Sequence, residues 1–131
     1  MELNDYFETT TGTGILSTAD KDGRVDAAIY SRPHFLDDGK LAFIMRDRLS
    51  HSNLRSNPHA AYLFIENGPG YKGKRLYLTM VREEKNAKQI TSLQRRKRKI
   101  KVEEDRFLVF FELDRERPLV GDDNKVDTKK E

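Results

Sequence analysis

The residues best equipped for chemistry lie between Arg46 and Asn53. Arg46 and Arg48 carry charge, and a guanidinium can grip phosphate oxygens through two parallel hydrogen bonds. Ser50, His51 and Ser52 follow at what reads as the start of a short helix over residues 49–58. Unpaired N–H groups and the helix dipole favour an anion at such a place. Arg32, Lys74 and Arg75 are further cations that neighbouring strands could bring close. The pattern thus describes an anion-binding loop. The same residues have a plainer reading. Arg46 and Arg48 would flank a solvated loop, Asp47 or Ser50 would cap the helix, and His51 would be exposed on a polar turn.

Other chemistries find less support. The chain has no cysteine, so a disulfide framework and a thiolate metal site are both excluded. His34 and His59 have no ligand spacing with His51 and no carboxylate cluster beside them, so no metal site is expected. Nothing sets a nucleophile, a base and an orienting group together. The glycine-containing stretch 67–75 lacks the following helix and the Ser or Thr after lysine that a phosphate-binding loop requires. It reads as a hairpin at the rim of a cleft, with Tyr71 and Lys72 placed to touch a ligand. Arg95, Arg96, Lys97, Arg98 and Lys99 form a basic run. A nucleic-acid patch is one reading. A solvated helix C-terminus is favoured over it, because cations oppose the negative dipole end. Glu103, Glu104 and Asp105 follow directly, and no aromatic stacking platform is interleaved.

The elements that must position these residues are mostly strands. Leu3, Tyr6 and Phe7 have helical spacing within a short N-terminal arm. Strands are expected at 14–19, 25–32 and 40–46, separated by Asp-Gly turn signals at 22–23 and 38–39. The first half therefore reads as a three-stranded meander. Pro58 ends the helix, since the residue before proline is pushed out of the helical region. Residues 60–65 form a nearly continuous apolar run, expected to be buried on both faces. A fifth strand spans 74–81, with Leu76 and Leu78 facing opposite to Arg75, Tyr77 and Thr79. A helix over 86–99 and a last strand over 107–113 complete the pattern. Tyr62 and Phe64 are core residues by default, and Tyr30 either packs or meets a ligand. Two helices among six strands exclude an alternating α/β layout. An apolar antiparallel sheet avoids raw edges best by closing into a barrel.

Several words of this sequence, in this order, resemble the pyridoxamine 5′-phosphate oxidase-like superfamily. They are Gly14-Ile15-Leu16-Ser17-Thr18, an Asp-Gly turn, Ala27-Ala28-Ile29-Tyr30, Leu41-Ala42-Phe43-Ile44-Met45-Arg46, and Ser52-Asn53-Leu54-Arg55-Ser56-Asn57-Pro58 before an apolar strand. The match covers residues 10–82, and the last helix and strand agree in type. The resemblance implies a mainly β fold: a six-stranded antiparallel split β-barrel with short helices, of FMN-binding type. It implies that the isoalloxazine ring of FMN rests against Ile29, Tyr30, Ser31 and Arg32. The phosphate would be held from the end of the third strand and the loop after it, by Ile44, Met45, Arg46, Arg48, Ser50, His51 and Asn53. The family's usual Ser-Arg-Lys grip falls on Arg48, Leu49 and Ser50, so leucine and serine replace the usual arginine and lysine. A flavin-dependent oxidoreductase or electron carrier is implied, its substrate and redox partner unidentified and its catalytic residues unassigned. The alternative is a barrel that has lost FMN and serves as a binding module. The arginine- and histidine-bearing C-terminal segment of a true pyridoxamine phosphate oxidase is not found.

A length of 131 residues suggests one domain over 1–121, followed by a mobile charged tail over 122–131. Hydrophobic and charged residues each make up 36%, and the net charge of +3 only weakly favours an anionic ligand. The apolar surplus at 60–65 and 107–113 is explained by a symmetric homodimer, or by both strands filling the barrel. With no signal-like or membrane-length apolar run, a soluble cytoplasmic protein is expected.

Overall fold

The computed structural model of the chain describes residues 2–85, 87–93 and 106–121. The basic run beginning at Arg95 and the charged tail lie outside the described residues.

Apolar residues alternate along the strands, and that alternation bends one sheet around a single core. The elements run α1 (Leu3–Thr9), β1 (Gly12–Ala19), β2 (Val25–Ile29), β3 (His34–Phe35), β4 (Leu41–Arg46), α2 (Leu49–Ser56), β5 (His59–Glu66), β6 (Gly73–Glu84), α3 (Ala87–Leu93) and β7 (Arg106–Pro118). All strand pairs are antiparallel, in the order β2-β1-β5-β6-β7-β4-β3. Among the described residues there are seven strands rather than six, the addition being the two-residue β3.

The expected meander does not form. β1 and β2 make a hairpin about the turn at 20–24, where the Asp20 carboxylate accepts from the Asp22 and Arg24 N–H groups and Gly23 takes φ +85°. β2 also ends at Ile29 rather than residue 32. The chain then crosses to the far side of the sheet, where β4 pairs with β3 and β7. No ladder joins the two edge strands β2 and β3 among the described residues, so the barrel is split there.

Leu16, Leu41, Phe43, Met45, Tyr62, Phe64, Leu76, Leu78, Phe107, Val109 and Phe111 fill the interior. Phe43 of β4 meets Tyr62 of β5 with ring centroids 5.0 Å apart, though the strands are not sheet neighbours. Phe7 of α1 plugs one end of the barrel, against Phe35, Tyr62 and Phe64. At the other end of β1, α2 inserts Leu54, and Asn53 Nδ2 donates to Thr18 Oγ1 at 3.0 Å. The outward residues Ala42, Leu108 and Phe110 form a second cluster beneath Ile90 of α3. β5 alternates instead of being buried on both faces: Ala60, Tyr62 and Phe64 face inward, while Ala61, Leu63 and Ile65 are only partly covered.

Candidate functional site

α2 starts two residues after β4 and packs against β1, β2 and β4. Arg48 is the N-cap, in extended conformation, and no side chain caps the helix. The backbone N–H groups of Leu49, Ser50 and His51 are therefore the orphan donors of the first turn. Arg46 and Arg48 are exposed on either side of Asp47. Asp47 does not act as the cap, and its carboxylate lies 3.5 Å from His51 Nδ1.

Ser50 is buried, and its side chain lies near enough to the Tyr30 phenol to oppose the rise of that phenol's pKa. The two halves of the expected site therefore lie together, because Tyr30 follows β2 directly and Ser50 is in the first turn of α2, which packs against β2. Burial raises the Tyr30 pKa above its ordinary value; the Ser50 side chain and the Arg48 charge act against that shift, and Asp26 adds to it. The Tyr30 ring also packs edge-on against Phe43 at 6.1 Å.

The remaining expected residues separate into distinct groups. Ile29 is 71% exposed, on the outward face of β2 with Val25 and Ala27. Ser31 is exposed, and its carbonyl accepts from the Tyr62 hydroxyl. Arg32 turns to α1, donating through one guanidinium nitrogen to Phe7 O at 2.8 Å and Thr10 O at 2.9 Å. Met45 is in the barrel core, and Ile44 packs on the outer cluster near α3. Asn53 ties α2 to β1.

His51 corrects an expectation. It is not exposed on a polar turn but fully buried. Its ring stacks on Phe107 at 4.0 Å, and Nε2 lies 2.7 Å from Glu83 Oε1. Glu83 also holds Arg55 at 3.2 Å. Ser50, His51, Asn53 and Leu54 form the inward stripe of α2, and three of the four are polar. Lys74 and Arg75 lie away from α2, engaged with Glu116 and with the carbonyls of Pro118 and Gly121. Among the described residues no group of three or more His, Cys, Asp or Glu is arranged to hold a metal ion, and no helix is long and apolar enough to cross a membrane.

Sequence reasoning missed Tyr62 as a residue of this region. Its hydroxyl reaches the Tyr30 and Ser31 carbonyls at 3.2 and 3.1 Å. The only signal in the sequence was its place inside an apolar strand, which reads as packing.

No protein-family model matches the chain, and no curated protein matches it. Solved structures do. An FMN-binding protein from Syntrophomonas wolfei superposes with a TM-score of 0.68 at 16% identity, covering 90% of this chain and 84% of that one. HupZ of Group A Streptococcus superposes with a TM-score of 0.69 at 15% identity, covering 92% and 94%. A protein from Lactobacillus delbrueckii assigned as a pyridoxamine 5′-phosphate oxidase gives 0.65 at 15% identity, covering 88% and 91%. The chain has the split β-barrel fold of the pyridoxamine 5′-phosphate oxidase-like proteins.

Proposed function

We propose that the chain binds FMN as a homodimer and acts as a flavin-dependent oxidoreductase or electron carrier. One observation carries this reading: α2 packs against β2, so that an apolar, exposed strand and an arginine-flanked helix start, with Ser50 near Tyr30, share one region. A flavin needs both, an apolar seat for its ring and a cationic, donor-rich seat for its phosphate. The likeness to an FMN-binding protein supports the same choice.

The residues that fit the phosphate are Arg46, Arg48 and the N–H groups of Leu49, Ser50 and His51. The side chains of Ser50, His51 and Asn53 fit it less well, lying near Tyr30, Glu83 and Thr18. Val25, Ala27 and Ile29, with the backbone after Ile29, fit the ring and a second copy of the chain. A bound flavin supplies electron and hydride transfer, and the protein supplies orientation and exclusion of competing reactions.

Titration of the protein with FMN, followed by flavin fluorescence and visible absorption, tests the proposal. Quenching that saturates at about one FMN per protomer is expected. Replacing both Arg46 and Arg48 by alanine lowers affinity by about tenfold or more while the fold survives, each charge-assisted bond being worth about 1.5–3 kcal/mol.

The second reading is a barrel that no longer holds FMN and binds another ligand or a partner. It rests on Leu49, exposed and uncharged at a grip position, and on Ser50, which is buried near Tyr30. A flat titration to high micromolar FMN would select it.

A further inference from the structure

Asp47 carries a negative charge to the place where a phosphate needs a positive one. It lies between Arg46 and Arg48, one residue ahead of the N-cap of α2. An aspartate so near a helix start commonly accepts from the N–H groups of the first turn. Asp47 does not. No side chain caps α2, and the Asp47 carboxylate turns instead to His51, with Oδ1 3.5 Å from Nδ1.

That contact is incomplete. A charge-assisted bond between such atoms closes to about 2.7–2.9 Å, and His51 Nδ1 is buried with no hydrogen-bond partner. The ring cannot turn to find one. Nε2 is held 2.7 Å from Glu83 Oε1, and the ring face stacks on Phe107 at 4.0 Å. Glu83 is itself held by Arg55. Glu83 thus commits only Nε2, and Nδ1 faces the chain entering α2. A buried polar atom left without a partner is costly. A phosphate oxygen completes it with either form of the ring: it accepts from the charged ring, and a protonated one donates to the neutral ring.

The charges around this point cancel. Arg48 and Asp26 shift the Tyr30 pKa in opposite directions, so both lie beside the same phenol. Asp26 is paired across the ladder with the buried Thr18, on the strand against which α2 packs. Arg46 and Arg48 are thus met by Asp26 and Asp47, and a dianion gains little from the sum. Of the two aspartates, Asp47 is the one able to withdraw, because its side chain is 65% exposed in the short link between β4 and α2.

We propose that Asp47 is a resident competitor for the phosphate. Its carboxylate holds the place beside His51 Nδ1 that a phosphate oxygen takes on binding. Its charge sets how well the site tells a phosphorylated flavin from an unphosphorylated one. This rests on the proposed FMN site and names the residue that limits its preference for the phosphate.

The test is Asp47→Asn, which keeps the size of the side chain and removes its charge. Asp38→Asn is the control, the same charge change in the exposed turn at the other end of β4. Each protein is titrated with FMN and with riboflavin, which has the same ring and ribityl chain and no phosphate. Asp47→Asn is expected to bind FMN about tenfold more tightly, the scale of removing one unit charge from beside another near a protein surface. Its riboflavin affinity should be unchanged, and Asp38→Asn should bind both flavins as the wild type does. An equal change for both flavins in Asp47→Asn, or no change for either, would overturn the proposal while the FMN site stands. FMN binding by Asp47→Asn and not by the wild type would support the competition directly. Failure of both proteins to bind FMN would remove the site and the role of Asp47 together. In the wild type, the carboxyl carbon resonance of Asp47 should move on addition of FMN and stay in place with riboflavin. A resonance that ignores FMN, or answers both flavins alike, would refute the assignment.

Discussion

His51 shows how a polar residue becomes structural when its surroundings are specific. Its ring is closed in by Phe107 on one face and by Glu83 and Asp47 at its two nitrogens. Changing His51 to alanine removes the stacking contact and leaves the partly buried Glu83 carboxylate with Arg55 as its remaining cationic partner. Loss of stability by about 2–3 kcal/mol is expected, read as a lower urea midpoint with an unchanged slope. Tyr6 makes a different prediction, about pH. Burial and the hydrogen bond to the negative Glu66 push its phenol well above the ordinary value of 10.0. The folded state then keeps a proton that the unfolded state releases above about pH 10, so stability falls as pH rises through that range. Tyr30, also raised, adds in the same direction. Tyr6→Phe should flatten the decline between about pH 9.5 and 11 in a series of denaturation curves.

Among the elements, α1 depends on a residue far from it in sequence. The helix has no side-chain cap at its start. Near its end, Arg32 reaches back to the carbonyls of Phe7 and Thr10. Arg32→Ala should cost about 1–2 kcal/mol and raise hydrogen exchange in residues 3–10 while amides of β5 and β6 stay protected. An unchanged α1 exchange rate would show that Phe7 packing alone holds the helix. Most elements were legible in the sequence because they follow simple periods. Leu41, Phe43 and Met45 alternate, Leu76 and Leu78 alternate, and the glycines at 23 and 39 mark turns with positive φ. β3 was not legible, since two residues carry no period. The second half of β7 was missed because residues 112–117 are all charged except Leu113, and their pairing rests on cross-strand partners such as Lys74 and Glu116. The end of α2 was legible from Pro58, but neither expected cap, Asp47 or Ser50, caps its start, and its inward stripe was hidden, because Ser50, His51 and Asn53 replace the apolar residues that periodicity detects. The arginine-flanked helix start was legible from its local residues; the placing of Ser50 near Tyr30 was not, as it brings together residues twenty apart.

For the whole molecule, the sequence pointed to a barrel and left its strand order open. Asp-Gly turns identify hairpins, yet only long-range pairing places β4 beside β7 rather than β2. That order also decides where the apolar surplus goes. Leu108 and Phe110 point out of the barrel but are 0% and 1% exposed, covered from the α3 side. The apolar run Phe107–Phe111 is satisfied within one chain and no longer argues for a partner. Among the exposed apolar residues, a group lies on an edge strand and the helix beside it: Val25 is 83% exposed, Ile29 71%, and Leu49 on the adjoining helix 57%. An exposed apolar edge strand invites pairing or aggregation unless something covers it. In the proposed homodimer this surface is the natural contact. Changing Val25 and Ile29 together to aspartate removes no interior packing, so the monomer should lose only about 0.5 kcal/mol per site. Sedimentation should then show the wild type as a dimer and the double variant as a folded monomer, with FMN affinity reduced if the second copy helps to close the ring site. A variant that stays dimeric would move the interface off β2. A wild type that is monomeric at high micromolar concentration would leave this strand to the ligand alone.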